Sequence, residues 1–279
     1  NIGYVSAGRI PNRASGDGLI PLAAGAQKVN WRGYIPCQQM PKIFNPENGM
    51  IVSANDGRLF ESYPNFISHA FAQDYRSVRI QNLLLDIKEP MTAQDMMVIQ
   101  SDTLDLEIQQ FLPWLEKIVP NSVKERQVFA LLKDWSGEMT ADSIAASVFV
   151  MWQREIRKLL LKDELIGYWN QGQQRETLQD ISSSIPLNVV AKLLQQPTWC
   201  SNYSIEVDNK DCSWLVRKAF QQALKILDNQ LGSDPKDWQW SKLQRTEYAH
   251  TPFSNIKVLD SIFERTIPTG GSLNSINVA

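Results

Sequence analysis

Residues 45–57 read NPENGMIVSANDG, and the stretch continues through SYP at 62–64 to YRSVRI at 75–80. The NPENG segment is typical of a turn, because Pro fixes its φ angle and both Asn and Gly tolerate positive φ. The apolar run at 50–54 predicts a short strand that stops at the polar segment 55–57. Arg76 then opens an amphipathic segment. This order of turn, strand, polar stop and helix is the most informative feature of the chain.

The chain around this stretch changes its hydrophobic period twice. Residues 1–60 are rich in turns and have prolines at positions 11, 21, 36, 41 and 46, which favour edge strands and loops. A helical period of apolar residues runs from Tyr75 to Leu231, and extended signals return after Trp238. The sequence therefore predicts the α+β class, with a β-rich segment at 1–60, a mainly helical insertion at 61–237 and return strands at 238–279.

Four helices and two strand features are predicted within these segments. The apolar stripes that predict the helices are Val78, Leu83, Leu84 and Ile87; Leu104, Ile108, Phe111, Leu112 and Leu115, after a cap at Thr92 with Asp95; Ile144, Val148, Trp152, Ile156, Leu159 and Leu160; and Val216, Phe220, Leu224, Leu227 and Leu231, ended by Gly232. The turn at 45–49 predicts a hairpin that pairs 41–44 with 50–54. Residues 275–278 are predicted to form a short strand.

The composition argues against several classes of partner. The chain has 279 residues, of which 43% are hydrophobic and 21% charged, with a net charge of −2. Lys and Arg are scattered, so the sequence predicts no nucleic-acid partner and no membrane partner. The longest apolar stretch, 144–152, is too short to form a transmembrane helix. The chain starts at Asn1 without an initiating Met or a signal peptide, so we expect a processed product or an excised part of a longer protein.

Two of the three cysteines lie close together in the sequence. Cys200 and Cys212 bracket the polar segment SNYSIEVDNKD, and a disulfide across it is the preferred interpretation, with two free thiols as the alternative. In the chain-entropy model such a bridge stabilises the fold by about 3 kcal/mol. Cys37 is predicted to be a small buried hydrophobe rather than a nucleophile. A disulfide would indicate an oxidising compartment.

Standard catalytic motifs are absent from the sequence. It contains no G-x-G-x-x-G after a strand, no P-loop and no H-E-x-x-H. His69 and His250 are the only histidines, which excludes a His-rich metal cluster. A Ser-His-Asp triad stays open by count, although no G-x-S-x-G elbow supports one. Each histidine is interpreted as structural.

Asn55 and Arg76 each have a plain structural interpretation. Asn-Asp-Gly after a strand is turn material. An Arg at the start of a helix is typically solvated or salt-bridged, since the helix dipole disfavours a cation there. The neighbouring Asp56 is interpreted as structural, as are Tyr63 and Pro64. Arg79 is the alternative to Arg76 as the arginine of this segment, and it is expected to face solvent.

The stretch at 45–80 nevertheless resembles the penicillin amidase family of N-terminal-nucleophile acylases. Further segments resemble that family in the same order: NIGY at 1–4 with AGRIP at 7–11, WRGYIP at 31–36, the cysteine pair at 199–200 and 211–212, WQWSKL at 238–243 before His250, and PTGG at 268–271 with 274–279. No single motif is diagnostic, but their order across nearly the whole chain makes the resemblance strong. The sequence departs from the family at Ser241, where Gly is usual.

The resemblance implies the central part of the β-chain of an N-terminal-nucleophile hydrolase, an αββα fold with strands at both ends and a large helical insertion. The implied activity is hydrolysis of the amide bond of an acylated small molecule, such as a penicillin-type amide or an N-acyl homoserine lactone. In the family the matching Asn donates its side-chain amide to the oxyanion and the matching Arg helps to position it, so Asn55 and Arg76 are the implied catalytic residues. The family's nucleophile is a chain-terminal Ser whose α-amine acts as base. Asn1 has neither hydroxyl nor thiol, so the Ser is expected outside this chain, and the chain alone is expected to be inactive.

The same resemblance implies partners, a location and a metal requirement. The expected partners are the remaining β-chain segments and the α-chain of a processed enzyme, in a periplasmic or secreted location. No cofactor is needed for the chemistry. Family members often bind calcium partly through an acid shortly after the Tyr-Pro pair, where this chain has NFIS at 65–68. No metal site is therefore predicted within the chain, and a structural calcium ion stays open for the complete enzyme. The alternative function is a non-catalytic helical interaction module on the same scaffold.

Overall fold

The computed structural model describes residues 1–21, 23, 31–88, 90–161, 182, 185–201 and 211–278. The chain divides into two compact units, residues 1–91 and residues 92–279. Each unit has its own internal packing, so we take them one at a time. The predicted division into segments at residues 60 and 237 concerns the order of elements along the chain and stays a prediction.

The described residues of the first unit form two small antiparallel strand pairs and one long helix. Strand β1 (Gly3–Val5) pairs with β4 (Lys42–Phe44), and β2 (Pro11–Arg13) pairs with β3 (Trp31–Tyr34). Helix α1 (Tyr75–Asp86) follows, as the sequence predicts. Between β4 and α1 the chain forms turns and short 3-10 segments rather than strands.

The predicted hairpin between 41–44 and 50–54 is wrong, because the turn at Asn45 fastens the chain to its N-terminal strand instead. Asn45 adopts a left-handed φ of 43°. Its backbone N–H donates to the Ile2 carbonyl at 2.9 Å, and its Oδ1 accepts from the Ile2 N–H at 2.9 Å. These bonds extend the β1–β4 ladder by one residue. The strand that precedes the turn therefore finds its partner at the start of the chain.

The second unit is mainly helical. The helices within its described residues are α2 (Ala93–Gln100), α3 (Leu112–Leu115), α4 (Val123–Lys133), α5 (Ile144–Leu161), α6 (Leu187–Leu194), α7 (Pro197–Ser201), α8 (Cys212–Leu231) and α9 (Asp260–Phe263). Strands β5 (Arg245–Tyr248) and β6 (Arg265–Pro268) form an antiparallel pair with Thr246 opposite Ile267. Predicted residues 275–278 form turns and bends rather than a strand. Side chains of Ser272 and Ser275 bond to the backbone there and compete with extended structure.

The core of this unit forms where α5 packs against α8. The buried face of α5 carries Val148, Phe149, Trp152 and Ile156, and that of α8 carries Leu215, Val216, Phe220 and Leu227. Trp152 is fully buried, and its indole Nε1 donates to the Val216 carbonyl at 3.0 Å, which satisfies its only polar atom. Both helices confirm the stripes predicted from the sequence. Gly232 ends α8 with a φ of 101°, a conformation that L side chains rarely adopt.

The predicted helix over 92–115 is wrong beyond its first turns. Thr92 and Asp95 form a reciprocal capping box, as expected. However, α2 ends at Gln100, and the apolar residues at 104–115 lie on a 3-10 segment (Leu106–Gln110) and on α3. The carboxylates of Asp102 and Asp105 accept backbone N–H bonds from Leu104 at 3.3 Å and from Glu107 at 2.8 Å. Such local side-chain bonds replace the helical ladder and interrupt it.

Cys200 and Cys212 form the predicted disulfide, with Cα atoms 5.0 Å apart. The bridge joins α7 to the first residue of α8. Residues 202–210, which lie between them in the sequence, are outside the described residues. Cys37 is a free thiol, but the prediction that it is buried is wrong, because it lies exposed on a 3-10 turn (Cys37–Gln39). Among the described residues, no helix combines the length and the apolarity needed to cross a membrane.

Candidate functional site

Asn55 lies at a strained turn in the first unit. Its φ of 65° falls in the left-handed region, which among non-glycine residues Asn tolerates best. The turn interpretation of the sequence is therefore confirmed for its backbone. The Asn55 carbonyl accepts from the Ala72 N–H at 2.9 Å, so the turn is tied to the segment that leads into α1. The Asn55 side chain is exposed.

Arg76 holds the side chain of Asn55. It is the second residue of α1, is half-buried, and reaches back to the turn. Its Nη2 donates to the Asn55 Oδ1 at 2.8 Å and to the Ala54 carbonyl at 2.9 Å. The structure thus brings together the two residues singled out from the sequence. Their roles in chemistry are a separate question from this contact.

The contact fixes the orientation of the Asn55 amide. A guanidinium carries only donors, so the side-chain atom that faces it must be the oxygen. The Nδ2 group is then directed away from Arg76, and no described residue accepts a hydrogen bond from it. The site therefore presents a neutral N–H donor beside a fixed positive charge. That combination suits stabilisation of an oxygen on which negative charge develops.

Asp56 stabilises the same turn through its side chain. The residue is 5% exposed, and both of its carboxylate oxygens accept bonds from the backbone. Oδ2 accepts from the Ala54 N–H at 3.2 Å and Oδ1 from the Arg58 N–H at 3.0 Å. Arg79 lies one turn further along α1. It is half-buried and engaged with neighbouring groups, so the expectation that it faces solvent is wrong.

The two histidines lie at the surface. His69 places its Nε2 3.5 Å from the Asp17 Oδ2, and the ring of His250 stacks on Phe253 with centroids 5.3 Å apart. In the described part of the chain, neither side chain hydrogen-bonds to a serine, so these contacts do not assemble a triad. Across the same residues, no group of three or more His, Cys, Asp or Glu side chains is placed to hold a metal ion.

A second polar cluster lies in the helical unit, and sequence reasoning missed it. Glu107 Oε1 accepts from the Leu187 N–H at 2.9 Å, and its Oε2 accepts from Asn274 Nδ2 at 2.7 Å. Asp105 Oδ2 accepts from the Ser272 hydroxyl at 2.8 Å. We call Asp105, Glu107 and these partners the Glu107 cluster. The signal in the sequence was a pair of acids inside an apolar run, which is a weak one.

Burial perturbs the acids of the Glu107 cluster. Desolvation, followed by the charge of Asp105, raises the pKa of Glu107 to about 7. Desolvation also raises the pKa of Asp105. Arg157 is a nearby cation, but its Nε donates to the Ile185 carbonyl at 2.8 Å, and burial lowers its own pKa. Both partners therefore lose more from burial than they gain from mutual attraction. The cluster joins distant chain segments, and both of its acids are buried.

Comparison with known proteins assigns the chain to a family and its fold to a class. The family model of penicillin amidase matches residues 1–279. The chain therefore belongs to the penicillin amidase family, as the resemblance of its motifs predicts. The α+β class and the N-terminal-nucleophile hydrolase fold are confirmed by a solved structure, a thermostable penicillin G acylase from Alcaligenes faecalis. That structure superposes with a TM-score of 0.58 at 18% identity, covering 96% of this chain and 52% of the other.

Two curated relatives show which activities occur among similar proteins. An acyl-homoserine lactone acylase QuiP from Pseudomonas syringae pv. syringae is 26% identical over 293 residues, covering 100% of this chain and 35% of the relative. A penicillin G acylase from Escherichia coli is 26% identical over 277 residues, covering 91% of this chain and 32% of the relative. The chain thus spans about a third of the length of these relatives.

Proposed function

We propose that this chain is part of an acylase that hydrolyses the amide bond of an acylated small molecule, and that it supplies the oxyanion donor. The observation that carries the proposal is the bond from Arg76 to the Asn55 Oδ1, which leaves Nδ2 as an oriented donor. The substrate class, a penicillin-type amide or an N-acyl homoserine lactone, rests on the named activities of the relatives. The proposed mechanism is that of an N-terminal Ser, provided by residues outside these 279.

In the proposed mechanism the Ser hydroxyl attacks the amide carbonyl, and the α-amine of the same Ser removes its proton. The carbonyl double bond opens, and its electron pair moves to oxygen. Asn55 Nδ2 donates to this oxyanion. When the carbonyl re-forms, the C–N bond breaks and the amine leaves with the proton from the α-amine. Water then releases the acyl group from Ser by the same steps. No cofactor is required for this sequence.

Arg76 is proposed to act through Asn55. Its bond to Oδ1 prevents the amide from rotating and placing its oxygen, rather than its N–H, against the oxyanion. Its charge, on a half-buried side chain, also lies close to the site and favours a negative charge there. A neutral amide suits the donor position because it has no proton to lose during turnover.

The proposal extends to the setting of the complete enzyme. The partners are the remaining β-chain segments and an α-chain, and the disulfide supports a periplasmic or secreted location. A structural calcium ion remains open for the segments outside this chain. The 279 residues alone are proposed to be inactive, because the nucleophile belongs to those segments.

The test uses the full enzyme and separates side chain from backbone. Asn55→Gly removes the amide while Gly accepts the φ of 65° without strain. We expect kcat to fall about 10²- to 10³-fold. KM should change little, since the donor acts mainly in the transition state. Asn55→Ala should lose more, because Ala also resists the positive φ.

Asn45→Gly is the matched control, because Asn45 is the other described non-glycine residue with a positive φ, 43°. It lies in an exposed turn and should keep the kcat of the parent enzyme. Steady-state kinetics on an acyl homoserine lactone and on penicillin G would measure both. Full kcat in Asn55→Gly would return Asn55 to the role of a turn residue.

A further inference from the structure

We infer that Asp56 is a positioning residue for the oxyanion donor, because its buried carboxylate holds the turn that aims Asn55. The inference rests on the proposed function and deepens it. From the sequence alone, Asp56 is interpreted as structural, together with Tyr63 and Pro64. Its contacts give it a more specific task.

The carboxylate of Asp56 grips the backbone on both sides of Asn55. Oδ2 accepts from the N–H of Ala54, the residue before Asn55, at 3.2 Å. Oδ1 accepts from the N–H of Arg58, three residues after Asn55, at 3.0 Å. Because the residue is only 5% exposed, little water competes for these oxygens. A single side chain thus closes the loop 54–58.

This grip matters because Asn55 holds an unfavourable backbone conformation. Its φ of 65° persists only when the surroundings impose it. Arg76 holds the Ala54 carbonyl, and the Ala72 N–H holds the Asn55 carbonyl. These two bonds fix carbonyl groups, whereas Asp56 fixes N–H groups. Without the carboxylate, the buried Ala54 N–H would lose its acceptor and the turn would relax toward an ordinary φ.

The position requires a carboxylate rather than any polar side chain. Two N–H groups must be satisfied at once, and a carboxylate offers two oxygens in one plane. An Asn in this place has one oxygen, and its amide would face a second donor. Relaxation of the turn would displace the Asn55 Nδ2, and a shift of about 1 Å near the reacting atoms can cost about 100-fold in rate.

The first measurement is steady-state kinetics of the full enzyme with substitutions at Asp56. Asp56→Ala should lower kcat about 10- to 100-fold with KM close to that of the parent enzyme. Asp56→Asn, which keeps one acceptor, should give an intermediate loss. Asp234→Ala is the matched control. Asp234 accepts a comparable local bond, from the Lys236 N–H at 3.0 Å, in an exposed 3-10 segment, and its loss should leave kcat unchanged.

The decisive measurement repeats the Asp56 substitutions in the Asn55→Gly background. If Asp56 acts only through Asn55, Asp56 substitutions should lower kcat in the parent enzyme. They should cause no further fall in kcat in the Asn55→Gly enzyme, where the amide is already absent. An equal fall in both backgrounds would mean general destabilisation and would overturn the inference, as would no fall in either. If Asp56→Ala fails to fold, the same comparison is made with Asp56→Asn. If Asn55→Gly alone keeps full kcat, the proposed function fails first and the inference fails with it.

Discussion

The Glu107 cluster predicts how the stability of this protein depends on pH. A carboxyl whose pKa rises from its ordinary 4.5 to about 7 binds its proton more tightly in the native state than in the unfolded state. The difference corresponds to about 3 kcal/mol of stability present only while Glu107 is neutral. This contribution is complete below pH 4.5 and is lost progressively as the pH rises toward 7. Above 7 the native protein holds a buried carboxylate and gains nothing more from this group.

Glu107→Gln removes this pH dependence at its source. The Gln Oε1 can keep the bond from the Leu187 N–H, while its amide nitrogen replaces Oε2. In the wild-type protein Asn274 Nδ2 donates to Oε2. In the variant, Asn274 must therefore rotate its amide so that its oxygen faces the Gln nitrogen. With that rotation the Gln amide nitrogen has an acceptor. We expect the variant to be close to wild type near pH 4.5 and more stable by up to about 3 kcal/mol near pH 8.

The assay is urea unfolding of both proteins at intervals from pH 4.5 to 8.5. The quantity of interest is the difference in unfolding free energy between variant and wild type, because this difference cancels other titrating groups. Asp105 also contributes a slope of the same sign, since burial raises its pKa, so the variant itself need not be flat.

Glu116→Gln serves as the control, because Glu116 is exposed near the end of α3. Its difference from wild type should not vary across this range of pH. A difference for Glu107→Gln that is equally independent of pH would refute the reasoning. It would mean that Glu107 is charged in the native state near pH 5 and that its hydrogen bonds outweigh its burial.

Two further predictions concern the framework of the helical unit. Cys200→Ser should lower the free energy of unfolding by about 3 kcal/mol, because the bridge to Cys212 is lost. Unfolding of the wild-type protein with and without reductant should show the same difference. Equal stability under the two conditions would contradict this. Gly271→Ala should destabilise far more than Gly232→Ala although their φ angles are 92° and 101°, because only at Gly271 would a Cβ lie 2.1 Å from the Asn277 carbonyl oxygen. Thermal unfolding would compare the two, and equal shifts would contradict the clash.

The parts of the fold that sequence predicts well are those decided by local periodicity. The stripes of α5 and α8 repeat along one helical face over many turns, so burial of that face leaves one solution. The capping box at Thr92 is also local and also confirmed. The helix that was expected beyond it fails because short acidic side chains bond to the backbone, which an apolar stripe does not reveal.

Other predictions failed because the structure there depends on distant partners. The turn at 45–49 is a good hairpin signal, but whether β4 pairs forward or backward is decided by β1 at the start of the chain. The Glu107 cluster is a stronger example. Its bonds from Leu187 and Asn274 to Glu107 span sequence separations of 80 and 167 residues. Neither local propensity nor spacing encodes such a contact, because each acid alone resembles a solvated surface residue.

The candidate site combines both situations. Resemblance to a family names Asn55 and Arg76, and local turn chemistry explains why an Asn can occupy a φ of 65°. Neither source gives the direction of the amide. That direction follows from one contact. Because a guanidinium can only donate, the Asn55 atom 2.8 Å from it must be the amide oxygen. A turn residue needs only its backbone, whereas a donor needs an oriented side chain. The Arg76 bond is therefore the feature that distinguishes the catalytic interpretation from the plain one, and the two Asn→Gly variants measure that distinction.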